Sequence, residues 1–127
     1  MSTRKILVVD DEIHILRVVA IKLKNNGFDV LTAQDGKQGF EAALEHKPDI
    51  IVSDYQMPNM TGIEMVQKLR QEKETSEIPV IMLTARGFAI EELEKVSLNI
   101  AEFLSKPFSP KELLNTIENI LAQCAVQ

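Results

Sequence analysis

The feature that most restricts what this chain can fold into is the regular alternation of short apolar runs with longer segments of helical period. Five runs, at 6–9, 30–33, 50–52, 80–83 and 100–104, are short and mostly aliphatic, as suits strands buried on both faces. Between them lie segments of helical character at 12–25, 36–46, 62–73 and, more weakly, 88–97, and a fifth closes the chain. Connections of this length are not hairpins. They join parallel strands by right-handed crossovers and leave helices on both faces of one sheet. The expectation is a doubly wound α/β fold, (βα)5, with a five-stranded parallel sheet.

Local punctuation agrees with that division. Ser109 is a good N-cap, Pro110 suits a first helical turn, and Leu113, Ile117, Ile120 and Leu121 form one apolar stripe behind them. Gly27 stands where the first helix needs a left-handed residue to stop, and Pro48 separates the second helix from the third strand.

A length of 127 residues predicts a single domain, 1–127, with its core at about 4–123. The net charge of −5 argues against direct nucleic-acid binding and against attraction to an anionic membrane. Only the run 6–9 precedes Asp10, far short of a signal-peptide core or a membrane span, and the lone Cys124 has no partner for an internal disulfide. These features predict a cytoplasmic protein, monomeric or weakly dimeric.

In doubly wound sheets, ligands bind beyond the carboxyl ends of the strands. Those positions hold Asp10 and Asp11 after the first strand, Asp54 after the third, Thr84 after the fourth and Lys106 after the fifth. Taken singly, each has an ordinary explanation: a turn or N-cap, a loop carboxylate, a strand-end hydroxyl, a solvated lysine. Taken together they describe an acidic cleft with one ammonium. Carboxylates packed this closely repel by roughly 1–3 kcal/mol per pair and call for a counter-charge. Mg²⁺ fits, since it takes a few oxygen ligands, keeps waters and leaves room for phosphate, whereas Ca²⁺ and Zn²⁺ want more oxygens or nitrogen and sulfur.

A carboxylate attacking phosphorus is an anion approaching an anion, so alignment and charge neutralisation must carry the reaction. Mg²⁺, Lys106 and the Thr84 hydroxyl would supply these. Asp54, after the central strand, is the expected acceptor, with Asp10 and Asp11 placed to hold metal. His14 and His46 lie in different helices without partner ligands, and Met57, Met60, Met65 and Met82 read as packing residues.

The segments Val8-Val9-Asp10-Asp11-Glu12, Ser53-Asp54-Tyr55-Gln56-Met57-Pro58, Leu83-Thr84-Ala85 and Phe103-Leu104-Ser105-Lys106-Pro107-Phe108 resemble the CheY-like response-regulator receiver family over nearly the whole chain. The resemblance implies a flavodoxin-like fold with strand order 2-1-3-4-5 and a stand-alone switch in two-component signalling. Asp54 would be phosphorylated by a sensor histidine kinase or phosphotransfer protein. Asp11, Asp54 and the main-chain carbonyl of Gln56 would bind Mg²⁺ directly, with Asp10 assisting through water. The resemblance also implies that Thr84 moves towards the phosphoryl group while Phe103 turns inward. That movement would reshape the face formed by the helix at 88–97, the fifth strand and the last helix, where a downstream protein target binds. The Lys106–Pro107 bond is expected to be cis.

Two departures from the family pattern stand out. Asn99-Ile100-Ala101-Glu102 replaces the Gly-Ala-Asp-Asp of many relatives, with Asn the next-best residue for a left-handed turn. Phe88-Ala89-Ile90 is unusually apolar, either a partner contact or a local extension of the core.

Catalysis is expected to be confined to the chain's own phosphorylation and dephosphorylation. A phosphatase of the haloacid dehalogenase type would need Asp-x-Asp after the first strand. A flavodoxin-like carrier would need a hydroxyl- and glycine-rich loop where Asp10-Asp11-Glu12 stand. A phosphorelay intermediate and a phosphorylation-independent docking module are the alternatives within the family.

Overall fold

The computed structural model describes residues 3–84 and 98–125. In chain order the elements are β1 (Lys5–Val9), α1 (Ile13–Asn25), β2 (Asp29–Ala33), α2 (Gly36–His46), β3 (Ile50–Asp54), α3 (Gly62–Gln71), β4 (Val80–Thr84), β5 (Glu102–Ser105) and α4 (Pro110–Ala125). The strands form one parallel sheet ordered β2-β1-β3-β4-β5, as the alternation and the family resemblance predict. The expected helix at 88–97, with its Phe88-Ala89-Ile90 segment, lies outside the described residues.

The sheet sorts its side chains by strand parity. Ile6, Val8, Ile50, Val52, Ile81 and Leu83 meet the stripes of α1 and α4, whereas Leu7, Val9, Ile51, Val80 and Met82 meet α2 and α3. With side chains buried on both faces, the central strands gain roughly 1.5–3 kcal/mol per large apolar residue and form a rigid platform. The expected stripe of the closing helix, Leu113, Ile117, Ile120 and Leu121, is buried. Its Ser109 Oγ accepts the Glu112 N–H at 3.0 Å. Gly27 takes φ +91, the left-handed stop expected after α1.

Several boundaries differ from the sequence reading. β3 runs through Asp54 and β4 through Thr84, so both residues end their strands rather than following them. β5 begins at Glu102 rather than at 100, because Asn99 adopts φ +55 and Ile100 is buried on the α2–α3 side before the ladder is established. α3 ends two residues early: Glu72 turns extended, and the Leu69 carbonyl accepts both the Glu72 N–H at 3.2 Å and the buried Thr75 hydroxyl at 2.6 Å, which closes the helix end. α1 starts at Ile13, leaving Glu12 at the N-cap. Among the described residues, no helix is long and apolar enough to cross a membrane.

Candidate functional site

The carboxyl ends of β1, β3, β4 and β5 meet at one edge of the sheet, each delivering a polar group. The Asp10 N–H continues the ladder by donating to the Ala33 carbonyl at 3.1 Å, which fixes the wholly buried Asp10 at the end of β1. Its Oδ1 accepts the Glu12 N–H at 2.9 Å. Asp54 is 8% exposed. The Tyr55 N–H donates to Asp54 Oδ1 at 3.0 Å and to the Leu83 carbonyl at 2.8 Å, tying the acidic side chain to the neighbouring strand. Carboxylate oxygens of Asp10, Asp11 and Asp54 all lie within 4.8 Å of one another, with Asp11 exposed at the mouth.

Lys106 follows β5, and its main-chain N–H donates to the Thr84 carbonyl at 2.7 Å. The ammonium lies 3.2 Å from Asp54 Oδ1, 3.4 Å from Asp10 Oδ2 and 3.2 Å from Glu12 Oε1. The Lys106–Pro107 bond is cis, as the resemblance implies. Thr84 is buried at the same end and lies opposite Ser105 in the ladder. Gln56 is exposed, two residues beyond Asp54. Phe103 is half-buried, paired in register with Met82 and packed on the α2–α3 side. Asp10, Asp11, Asp54 and Lys106 thus form one cluster, with Thr84 at its edge.

Burial is the main reason that the Asp54 carboxyl is pushed up to about 6, with the charge of Asp10 adding to it and Lys106 opposing it. Asp10 is also raised by burial, against the pull of the Glu12 amide and Lys106. For Lys106, burial disfavours the charge, but Asp54 and Asp10 outweigh burial and hold its pKa above the ordinary lysine value. One ammonium therefore serves three close carboxylates, with Asp11 a fourth nearby. The excess negative charge and the all-oxygen donor set fit a hard divalent cation such as Mg²⁺, and the cluster offers none of the nitrogen or sulfur ligands that Zn²⁺ prefers.

Three features of this neighbourhood escape the sequence reading. A Cβ at Gly62 would collide with the Asp54 carbonyl oxygen, and the Gly62 N–H donates to the Tyr55 carbonyl at 2.9 Å, so only glycine lets α3 begin directly against the acidic strand end. The capping box that starts this helix, Thr61 with Glu64, was available as a signal. Glu12 joins Lys106 rather than capping its helix. Arg70 donates to the carbonyls of Leu98 at 2.8 Å, Thr75 at 3.2 Å and Asn99 at 3.3 Å, clamping the end of α3 to the turn that feeds β5.

Comparison with known proteins agrees with this architecture. Residues 6–118 match the family model for the response regulator receiver domain. The chain is 34% identical over 121 residues to the phosphate regulon transcriptional regulatory protein PhoB of Pseudomonas aeruginosa, covering 95% of this chain and 53% of that protein. It is 37% identical over 123 residues to the alkaline phosphatase synthesis transcriptional regulatory protein PhoP of Bacillus subtilis, covering 97% and 50%. The chain thus spans about half the length of these relatives. Among solved structures, chemotaxis response regulator CheY4 of Vibrio cholerae superposes with a TM-score of 0.88 at 34% identity, covering 94% of this chain and 99% of that one. A response regulator receiver domain protein from Clostridium thermocellum gives 0.86 at 28% identity, covering 97% and 98%. The chain belongs to the receiver-domain family of two-component response regulators. Phosphoryl acceptance is typical of that family, as are Mg²⁺ in the acidic pocket and interaction with histidine kinases or phosphotransfer proteins.

Proposed function

We propose that this chain accepts a phosphoryl group on Asp54 and passes the event on as a change in its protein contacts. The observation that carries the reading is the seating of a buried carboxylate 3.2 Å from the Lys106 ammonium at the end of the central strand. Ionised above pH 6, an Asp54 oxygen forms the new bond to phosphorus as the bond from phosphorus to the donor's leaving atom breaks, its electron pair departing with the donor. Lys106 offsets charge on one phosphoryl oxygen and the Thr84 hydroxyl donates to another. Mg²⁺, held by Asp11, Asp54 and the Gln56 carbonyl with Asp10 assisting, would supply further neutralisation of the phosphoryl oxygens. Catalysis extends no further than the chain's own phosphorylation and dephosphorylation.

The donor is a sensor histidine kinase or a phosphotransfer protein, and the surface beside the site supports a macromolecular one. An apolar groove of about 430 Å³ lies between α1 and the 106–110 segment, lined by Ile15, Val18, Pro107 and Phe108 and sharing Glu12 and Lys106 with the site. Exposed Ile13 and Ile21 extend the apolar character of α1. Output runs through Thr84 and Phe103 to the face that includes β5 and α4. The charge of −5 favours a protein target there rather than nucleic acid. The matched transcriptional regulators, about twice as long, lend the exclusion of nucleic acid no support. A cytoplasmic location follows from this partnership.

Intact-mass analysis after incubation with acetyl phosphate tests the proposal. One added phosphoryl group, requiring Mg²⁺ and absent from Asp54→Asn, is the expected result. A folded, cation-binding wild type that stays unmodified overturns it.

A further inference from the structure

Glu12 occupies the N-cap position of α1 with an extended backbone, φ −90 and ψ 105, yet its side chain makes no capping hydrogen bond. The shorter Ser, Thr, Asp and Asn favoured at this position turn an oxygen onto the first free amides of the helix, a reach to which the longer glutamate is ill suited. Here the carboxylate turns the other way, placing Oε1 3.2 Å from Lys106 Nζ and Oε2 3.9 Å from His14 Nε2. Asp10 has already taken the Glu12 N–H, so backbone and side chain of this residue both face the site. Unlike Asp10 and Asp54, the Glu12 side chain is about half exposed, at 46%. It stands where the acidic cluster opens into the apolar groove.

We infer that Glu12 is a specificity-determining residue of this site: a rim carboxylate that competes with an incoming phosphoryl group for Lys106 and so selects against small, free anionic phosphodonors. The inference rests on the reading of Asp54 as the acceptor. A dianionic small molecule arriving from solvent meets the Glu12 charge at the mouth, and Lys106 reaches its phosphoryl oxygens only by sharing or releasing Glu12. A protein donor lying along α1 and Pro107–Phe108 contacts Glu12 and His14 directly, and can draw the carboxylate off the ammonium as it docks. Selection therefore falls on donors that occupy the groove.

The test measures initial loading rates by intact mass, with Mg²⁺ present and donor below saturation. Acetyl phosphate serves as the strongly anionic probe and phosphoramidate as the less highly charged one. A partly screened carboxylate at this range corresponds to roughly three- to tenfold in rate. Glu12→Gln is expected to load faster by that factor with acetyl phosphate and distinctly less with phosphoramidate, with the gain shrinking in about 1 M KCl. Glu12→Asp, which keeps the charge, is expected to stay within about twofold of wild type, and Glu12→Ala repeats the test without a polar side chain.

Equal gains with both donors, or no gain in either uncharged variant while wild type loads normally, overturn the inference and leave the acceptor reading standing. Failure of folded wild type to load at all overturns the acceptor reading, and this inference with it.

Discussion

Replacing Asp54 by Asn should stabilise the fold in the absence of divalent cation, by an amount the site geometry sets. The Asp54 carboxyl is pushed from 3.8 to about 6 by burial first and by Asp10 second. Each pH unit of displacement is worth about 1.4 kcal/mol, so the ionised side chain costs the native state about 3 kcal/mol above neutrality. Asn keeps the shape and can still accept the Tyr55 N–H, but burying its amide returns part of the gain, leaving about 1–2 kcal/mol.

The sign in pH follows from the raised value. The native state holds this proton more tightly than the unfolded chain, so the stabilising contribution is present below 3.8 and lost as pH rises through about 6. Urea unfolding in EDTA should therefore show Asp54→Asn ahead of wild type at pH 8 and about 0.5–1.5 kcal/mol behind it near pH 4, where the electrostatic gain has gone and the cost of burying the amide remains. Saturating Mg²⁺ should close the gap from the other side, since a ligand at one hundred times its dissociation constant adds about 2.7 kcal/mol to the protein that binds it. A variant no more stable than wild type at pH 8 in EDTA, or a difference independent of pH, would refute the electrostatic reasoning.

Other substitutions test neighbouring parts of the argument. Lys106→Ala should bind Mg²⁺ at least as well as wild type, in a calorimetric titration, while losing the partner response to phosphorylation; normal partner binding by the phosphorylated variant would count against the role given to this ammonium. Gly62→Ala drives a methyl into the Asp54 carbonyl and should destabilise by about 1–3 kcal/mol in chemical denaturation, with slower loading of Asp54. Arg70→Met takes a donor from three main-chain carbonyls, of which that of Thr75 keeps the Ile78 N–H, and should lower stability by about 1–3 kcal/mol, which the shift of the urea midpoint reads directly.

The parts of this molecule legible in its sequence are those governed by local pattern. The two-sided burial of β1, β3 and β4 and the Ser109–Pro110 start of α4 can be read from the letters, because burial on two faces and helix capping each impose a short-range signature. The convergence of Asp10, Asp11, Asp54 and Lys106 is legible once the crossover rule places all their strands in one direction. Long-range use of a common residue is not. Nothing in the sequence marks Arg70, because its partners are main-chain oxygens, two of them 28 and 29 residues away, and carbonyls have no letter in the sequence. Glu12 enters the sequence reading only as part of Asp10-Asp11-Glu12, because nothing local announces that the far end of the chain will bring it an ammonium. The late start of β5 is a conflict between two signals, since Ile100 is apolar enough for a strand while Asn99 turns the backbone left-handed just ahead of it.

The order of the sheet has a further consequence for the margin that carries Lys106. β5 is an edge strand, three of its residues partly buried and Ser105 exposed, beside the fully buried β4, and Lys106, the ammonium paired with residues as far as 96 positions away, hangs from its end. Edge strands open locally at lower free energy than the strands they flank. An opening there that carried Lys106 off would leave Asp10 and Asp54, held by β1 and β3, without their counter-charge, and amide exchange along β5, followed with and without Mg²⁺, is the measurement that would show margin and site opening together.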